Sequence, residues 1–355
     1  MTPLDATSAD AWARALGISR AAVDLYLASE VIDLHIDSFI WQRLFGYDLQ
    51  KRHGRGLLDA CFYSQADLPR IREARVGGAM WIITTNPFRT RRGRRDALLA
   101  NLERLERTLI AQGDVEVVTS AAAYRACRAR GAHAAFVGLQ GGNALSASLD
   151  DFDHPALSKV TLVTLLHFTR SRLGAPALPW FARFGSQRLG SYGADYVRKL
   201  NERRILVDLA HLGPTAFWDA LEVHDKTQPL TISHAACEAV HAHFRNVSDA
   251  QMKAVADTGG VIGVIFNTAF LGGSLFFGRA ERVVDHLAHM LRVVGADHAA
   301  LGSDFDGAIV PPRDLRTILE LPRLVELMLR RGFREDDVRK ILGNSFLRSL
   351  AALRG

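Results

Sequence analysis

The sequence predicts an α/β fold of the eight-stranded barrel class, (β/α)8, and three observations predict it. Eight short apolar runs recur along the chain, helical stretches separate them, and polar residues suited to metal binding fall at the carboxyl ends of several runs. Continuous apolar character, in place of strict alternation, suits parallel strands covered on both faces, with the intervening segments as crossovers. The 355 residues accommodate eight such units in one barrel domain, and no linker divides them.

In order, the segment before residue 31 reads as an added amphipathic helix, so the domain is expected to span 1–355 with a helical extension over about 1–30. The first three strands are "VIDLHIDSF" from 31, "GAMWIITTN" from 78 and "AAFVGLQGG" from 134. Between the second and third, residues 94–113 show helical periodicity, with Leu98, Leu102, Leu105 and Leu109 on one face. The fourth strand is "VTLVTLLHF" from 160, followed by a long loop punctuated by glycine and proline, 173–193, that could serve as a lid or run over the surface. Then come "ILVDLAHL" from 205, "PLTISHA" from 229, "GVIGVIF" from 260, and a helix over 281–295 that ends at the capping glycine Gly295. The eighth strand is "AALGSDFDG" from 299.

Composition limits the function classes. A net charge of +6 is modest, and its basic excess is concentrated in "RTRRGRR" from Arg89, which reads as a solvated loop leading into a helix. No interleaved aromatics or nucleic-acid motif accompany it, so no nucleic-acid partner is expected. Three cysteines (Cys61, Cys127, Cys237) without C-x-x-C spacing exclude a disulfide framework and read as buried, reduced thiols. The first thirty residues carry Asp5, Asp10, Asp24 and Glu30 and no apolar core of a signal, and the terminal "FLRSLAALRG" lacks the hydrophobic tail of a lipid-anchor signal. These features predict a cytoplasmic protein with no membrane partner.

The polar groups fall where a barrel places its site, at the carboxyl ends of the strands. In His35-Ile36-Asp37, residues i and i+2 project to one face, so the pair can aim an imidazole and a carboxylate at one metal. His167, His211, His234 and Asp304 end the fourth, fifth, sixth and eighth strands. A lone histidine in an apolar run is ordinarily a hydrogen-bonded core residue, but four histidines and two acids at separate strand ends point to a metal site. Imidazole and carboxylate suit Zn²⁺, and a bound metal lowers the pKa of water from ~16 towards ~7. Asp304, if not itself a tight ligand, is placed to move the proton. The chemistry this predicts is hydrolysis of a polar carbonyl bond.

With these residues in view, the chain resembles the membrane dipeptidase (renal dipeptidase) family of the amidohydrolase superfamily, from about residue 31 onward. The resemblance rests on an ordered set: "DLHIDSF", "QADLPRIREARVGGAMW", "GLQGGNAL", "TLLHFTRSRLG", "ILVDLAHL", "ISHAACEAVHAHFRN", "GSDFDG" and "ILGNSFLRSL". It implies a barrel with two zinc ions that hydrolyses dipeptides, some with a D-residue at the C-terminal position, in a family that tends to form homodimers. Carried over by motif, His35 and Asp37 hold one zinc and His211 and His234 the other. His167 polarises the substrate or stabilises the tetrahedral intermediate, Arg245 pairs with the substrate's free carboxylate, and Asp304 is the acid/base.

One position departs from the pattern. Where the family has "G-x-E-G-G-H", with the glutamate bridging both metals, this chain has Gln140 and then Asn143. A glutamine offers one neutral oxygen and an NH₂ that cannot coordinate. The expectation is therefore one or two zinc ions per chain with a weakened second site, either half of which could keep its metal. Two functions follow: a zinc-dependent dipeptidase or related amide hydrolase acting on a small peptide, and a catalytically weakened or silent relative that binds a peptide or metabolite in the barrel mouth.

Overall fold

Each of the eight apolar runs forms a strand, and the strands close on themselves. The computed structural model describes residues 8–56, 58–182 and 185–355. The strands are β1 (Ile32–Ile36), β2 (Gly78–Thr84), β3 (Val115–Val117), β4 (His133–Gln140), β5 (Val160–Thr164), β6 (Leu206–Asp208), β7 (Leu230–Ala235), β8 (Val261–Val264) and β9 (Ala299–Leu301). The sheet order is β2-β1-β9-β8-β7-β6-β5-β4, all parallel, and a β2–β4 pairing running from Gly78↔Ala134 to Thr84↔Gln140 closes the barrel. Every residue of these eight strands is buried, as the unbroken apolar runs require. β3 is an addition that the sequence pattern does not announce. It pairs with the start of β4, at His133 to Ala135, beside the stretch that pairs with β5.

The crossovers follow the periodicity. Leu98, Leu102, Leu105 and Leu109 are the buried residues of the helix Arg91–Ile110, and the helix Glu281–Val294 ends at Gly295. Four expectations need correction. The extension before residue 31 holds two short helices, Ala9–Leu16 and Arg20–Leu27, capped by Ser8 and Ser19, because Gly17 takes a left-handed conformation between them; residues 1–7 lie outside the described residues. The arginine run is no loop: Thr90 caps the helix through Gly93 N at 3.1 Å, so Arg91 onward is helical. Cys127 and Cys237 are buried but Cys61 is half-buried, and all three are free. In the loop 173–193, a short helix covers Pro179–Ala182 and a new helix already begins at Ser191; residues 183 and 184 lie outside the described residues. Among the described residues no helix is long and apolar enough to cross a membrane.

Candidate metal centre at the barrel mouth

The carboxyl ends of β1, β4, β5, β6, β7 and β9 bring the candidate residues to one place. Gln140 is the last residue of β4 and His234 lies within β7, while Asp37, His167, His211 and Asp304 follow their strands by one to three residues. Around them opens a cavity of about 340 Å³, within the usual range for small-molecule sites. Asp37, Gln140, His167, His211, Arg245 and Asp304 line it, with an apolar wall of Ile40, Trp41, Phe45, Phe168, Phe244 and Phe270. His35 and His234 are fully buried.

The cluster is tight. His35, His234 and Asp304 offer ligand atoms that all lie within 4.8 Å of one another. His35 Nε2 is 3.6 Å from Asp37 Oδ2 and 3.8 Å from Asp304 Oδ1, and His211 Nε2 is 2.8 Å from His234 Nε2. His211 and Asp304 hold left-handed backbone conformations (φ 66° and 61°), which non-glycine residues adopt at a cost of roughly 1–3 kcal/mol when the surroundings impose them. The backbone of Asp304 is held by its N–H on His35 O at 3.1 Å, and that of Asp37 by its N–H on Phe305 O at 2.8 Å, so β1 and the loop after β9 place these carboxylates together.

Two residues that the sequence motifs do not single out orient the histidines. The Ser233 hydroxyl has one proton and gives it to Asp208 Oδ2 at 2.6 Å. Its lone pairs then accept Nδ1–H from His234 at 2.8 Å and from His35 at 3.2 Å. Both rings are thereby assigned the tautomer that leaves Nε2 unprotonated and facing the cluster, as a metal ligand requires. Asp208 is itself fixed by Thr164 Oγ1 and by the backbone N–H groups of Ala210 and Ser233. The carbonyl of Ser233 is pressed from two sides: a Cβ on Gly263 would stand 2.1 Å from it and one on Gly302 only 1.8 Å, so neither position admits a side chain. The sequence signal was faint: a serine before His234 and an aspartate three residues before His211.

Electrostatics favour neutral imidazoles at His211, His234 and His167, while His35 is drawn towards its charged form. Burial, reinforced by neighbouring cationic and imidazole groups, holds His211 and His234 well below the usual histidine range. Burial brings His167 down to about 3. At His35 burial also opposes the charge, but the Asp37 carboxylate, with Asp304 and Asp208 beyond it, outweighs burial and raises the pKa. Asp304 is pushed up to about 8, first by burial, with the Asp37 charge adding to it. A bound cation acts in the opposite sense on such a carboxylate.

Gln140 sits between the two halves of the cluster. Its amide nitrogen lies 3.2 Å from His35 Nε2 and 3.3 Å from His211 Nε2, and Thr84 Oγ1 lies 3.2 Å from its carbonyl oxygen. The NH₂ thus faces the nitrogens that metal binding would use. Arg245 is 5% exposed, its Nε has no hydrogen-bond partner, and no carboxylate lies within ion-pair distance among the described residues. Burial lowers its pKa to about 10, with the charges of Asp304 and Asp208 opposing the shift. Its Nη2 donates to His234 O at 3.5 Å, and a buried guanidinium at a cavity wall with no carboxylate partner calls for an anionic ligand.

The donor set fits one divalent cation: imidazole nitrogens and carboxylate oxygens converge, and a serine–aspartate pair holds two of the rings.

The chain is 34% identical over 187 residues to an uncharacterized protein in the pqqA 5′ region of Klebsiella pneumoniae, covering 47% of this chain and 67% of the relative. Among solved structures it is similar to a metallo peptidase from Rhodobacter sphaeroides liganded with a phosphinate mimic of the dipeptide L-Ala-D-Ala, with 24% identity, coverage of 92% and 99%, and a TM-score of 0.79. It is also similar to the probable dipeptidase PvdM from Pseudomonas aeruginosa, with 19% identity, coverage of 96% and 99%, and a TM-score of 0.82. At these identities the structural matches show the shared barrel fold. The profile of the membrane dipeptidase family, peptidase family M19, matches residues 19–354, nearly the whole chain, and the protein belongs to that family.

Proposed function

We propose that the protein is a zinc-dependent dipeptidase that holds one zinc ion tightly, through His35, Asp37 and His234, leaving Asp304 for proton transfer, and takes substrates with apolar side chains. The observation that carries this reading is the placement of Arg245, buried and without a carboxylate partner among the described residues, in the cavity that adjoins the histidine–carboxylate cluster. A free C-terminal carboxylate satisfies the guanidinium, while the aromatic and aliphatic wall receives the side chains.

When bound, the zinc supplies Lewis-acid polarisation and activates water. The residues of the chain do the rest. Arg245 orients the dipeptide by its carboxylate, and His167, held neutral, offers a hydrogen bond to the substrate carbonyl. Asp304, at the cavity edge, is placed to take a proton and return it to the leaving amine. The Rhodobacter protein's phosphinate ligand makes L,D-dipeptides a sensible part of the substrate set.

A specific observation favours a second reading. The Gln140 amide facing both His35 and His211 can replace a metal bridge and leave a binder of peptides or metabolites. A panel of L,L- and L,D-dipeptides, assayed across a zinc titration, separates the two. Turnover that saturates near one zinc per chain supports the dipeptidase, and no turnover at any metal level overturns it in favour of the binder.

A further inference from the structure

A second cavity, of about 250 Å³, lies beside the barrel mouth where the turn after β4 meets the loop after β5 and the start of the helix Arg91–Ile110. Four arginines line it, Arg91, Arg94, Arg170 and Arg172, together with neutral groups that include the buried Asn143 and Ser146. No acidic residue lines it among the described residues. Arg95, the next residue in the same run, pairs with Asp151 at 2.6 Å. Arg91, Arg94 and Arg172 have no carboxylate at ion-pair distance among the described residues; Arg94 and Arg172 instead meet carbonyls, a hydroxyl and a ring.

Two of these guanidiniums, Arg94 and Arg172, are held in place. Arg94 donates from Nε to Asn143 O at 3.0 Å and from Nη1 to Pro87 O at 3.2 Å and Arg89 O at 2.7 Å. Arg172 donates to Ser146 O at 3.0 Å while its guanidinium lies 3.8 Å over the Tyr192 ring. Fixing like charges around one space is unfavourable without a counter-charge, and burial followed by the Arg91 charge already lowers the Arg94 pKa. Cations in the first turn of a helix add to the penalty, because the helix dipole favours anions there. A preorganised set of planar donors meeting from several elements suits a tetrahedral oxyanion.

We propose that this cavity is a phosphate-binding site, separate from the metal cluster, that takes either free phosphate or the phosphate group of a small ester. The site gives Arg91 and Arg94 of the arginine run a role that the proposed peptidase chemistry does not supply, and it stands whether or not the dipeptidase reading holds.

The test uses the full chain loaded with zinc, inorganic phosphate and glycerol 3-phosphate as separate probes, and sodium chloride at matched ionic strength as the reference. Calorimetric titration and thermal shift are both read. Saturable binding of either probe is expected, weakened at least about tenfold in Arg91→Ala and in Arg172→Ala and unchanged in Arg92→Ala, an exposed neighbour that does not line the cavity. The tighter probe identifies the source of the phosphate group. A response that chloride reproduces, equal losses in all three variants, or binding retained in the Arg91→Ala/Arg172→Ala double variant, which would place the ion at the metal cluster, overturns the proposal.

Discussion

The Ser233 hydroxyl donates to Asp208 Oδ2 at 2.6 Å, and this one bond decides which nitrogen of two histidines faces the metal cluster. Removing the hydroxyl frees the ring orientation of His35 and His234 without touching a ligand atom. Ser233→Ala should weaken zinc binding by about 10–100-fold, the range typical of lost outer-shell partners, while circular dichroism stays that of the wild type. Competition with a chromophoric chelator measures it, and unchanged affinity would show that packing alone sets the tautomers.

Gln140→Glu should raise the zinc content from one to two ions per chain. The carboxylate supplies an anionic oxygen between His35 and His211, where the amide now offers N–H groups. Without metal the same variant should be less stable than wild type, because the new charge joins the buried Asp37 and Asp304. Elemental analysis of the purified proteins checks the count; two tightly held ions in the wild type would refute the weakening argument.

Arg245→Lys keeps the charge but loses the planar fork. KM for dipeptides should rise about 10–100-fold, in line with ~1.5–3 kcal/mol for a hydrogen bond to a charged group, with a smaller effect on kcat. A C-terminally amidated dipeptide should already be poor with the wild type and no worse with the variant. Steady-state kinetics on the free and amidated pair decide this, and equal losses on both would remove Arg245 from carboxylate recognition.

Stability should fall with acid because of two histidines remote from the cluster. His133 donates Nδ1–H to Val76 O at 2.9 Å and accepts from Trp81 Nε1 at 3.2 Å; His286 accepts from Cys237 N at 2.9 Å, and its Nε2 lies 3.3 Å from Leu271 O. Burial lowers both to about 4, so each is neutral when folded. The unfolded chain takes up these protons near pH 6.5 and the folded chain refuses them until about pH 4. Their contribution is therefore complete above pH 6.5 and is lost as the pH falls towards 4, each histidine giving up about 1.4 kcal/mol per pH unit across that window. Urea midpoints at pH 7.5, 6 and 5 should drop accordingly, and His133→Gln should flatten the slope. An unchanged slope in that variant would assign the acid sensitivity to other groups.

The barrel strands were legible because a strand covered on both faces must be apolar throughout, and no other pattern in the chain looks like that. β3 was not, since Val115-Glu116-Val117 is short, is interrupted by a glutamate and exists by pairing with β4. The arginine run misleads for a related reason: Gly93 suggests a break, whereas arginine favours helix and Thr90 supplies the cap. At the site, residues that point into the mouth were readable from their chemistry at strand ends. The Ser233–Asp208 pair was hidden because its meaning depends on β6 lying beside β7, and sequence alone does not assign a hydroxyl to a distant ring.

The contact of Gly263 and Gly302 with the Ser233 carbonyl has a consequence for how this protein can change over time. The seam that brings β7, β8 and β9 together also holds the residue that sets the imidazole protons, so strand packing there and the orientation of the histidines rest on the same close approach. Variants at either glycine would be expected to lose metal affinity and fold stability in step. Diversity among close relatives should accordingly collect in the apolar wall and the arginine-lined cavity, which can vary while this seam stays shut.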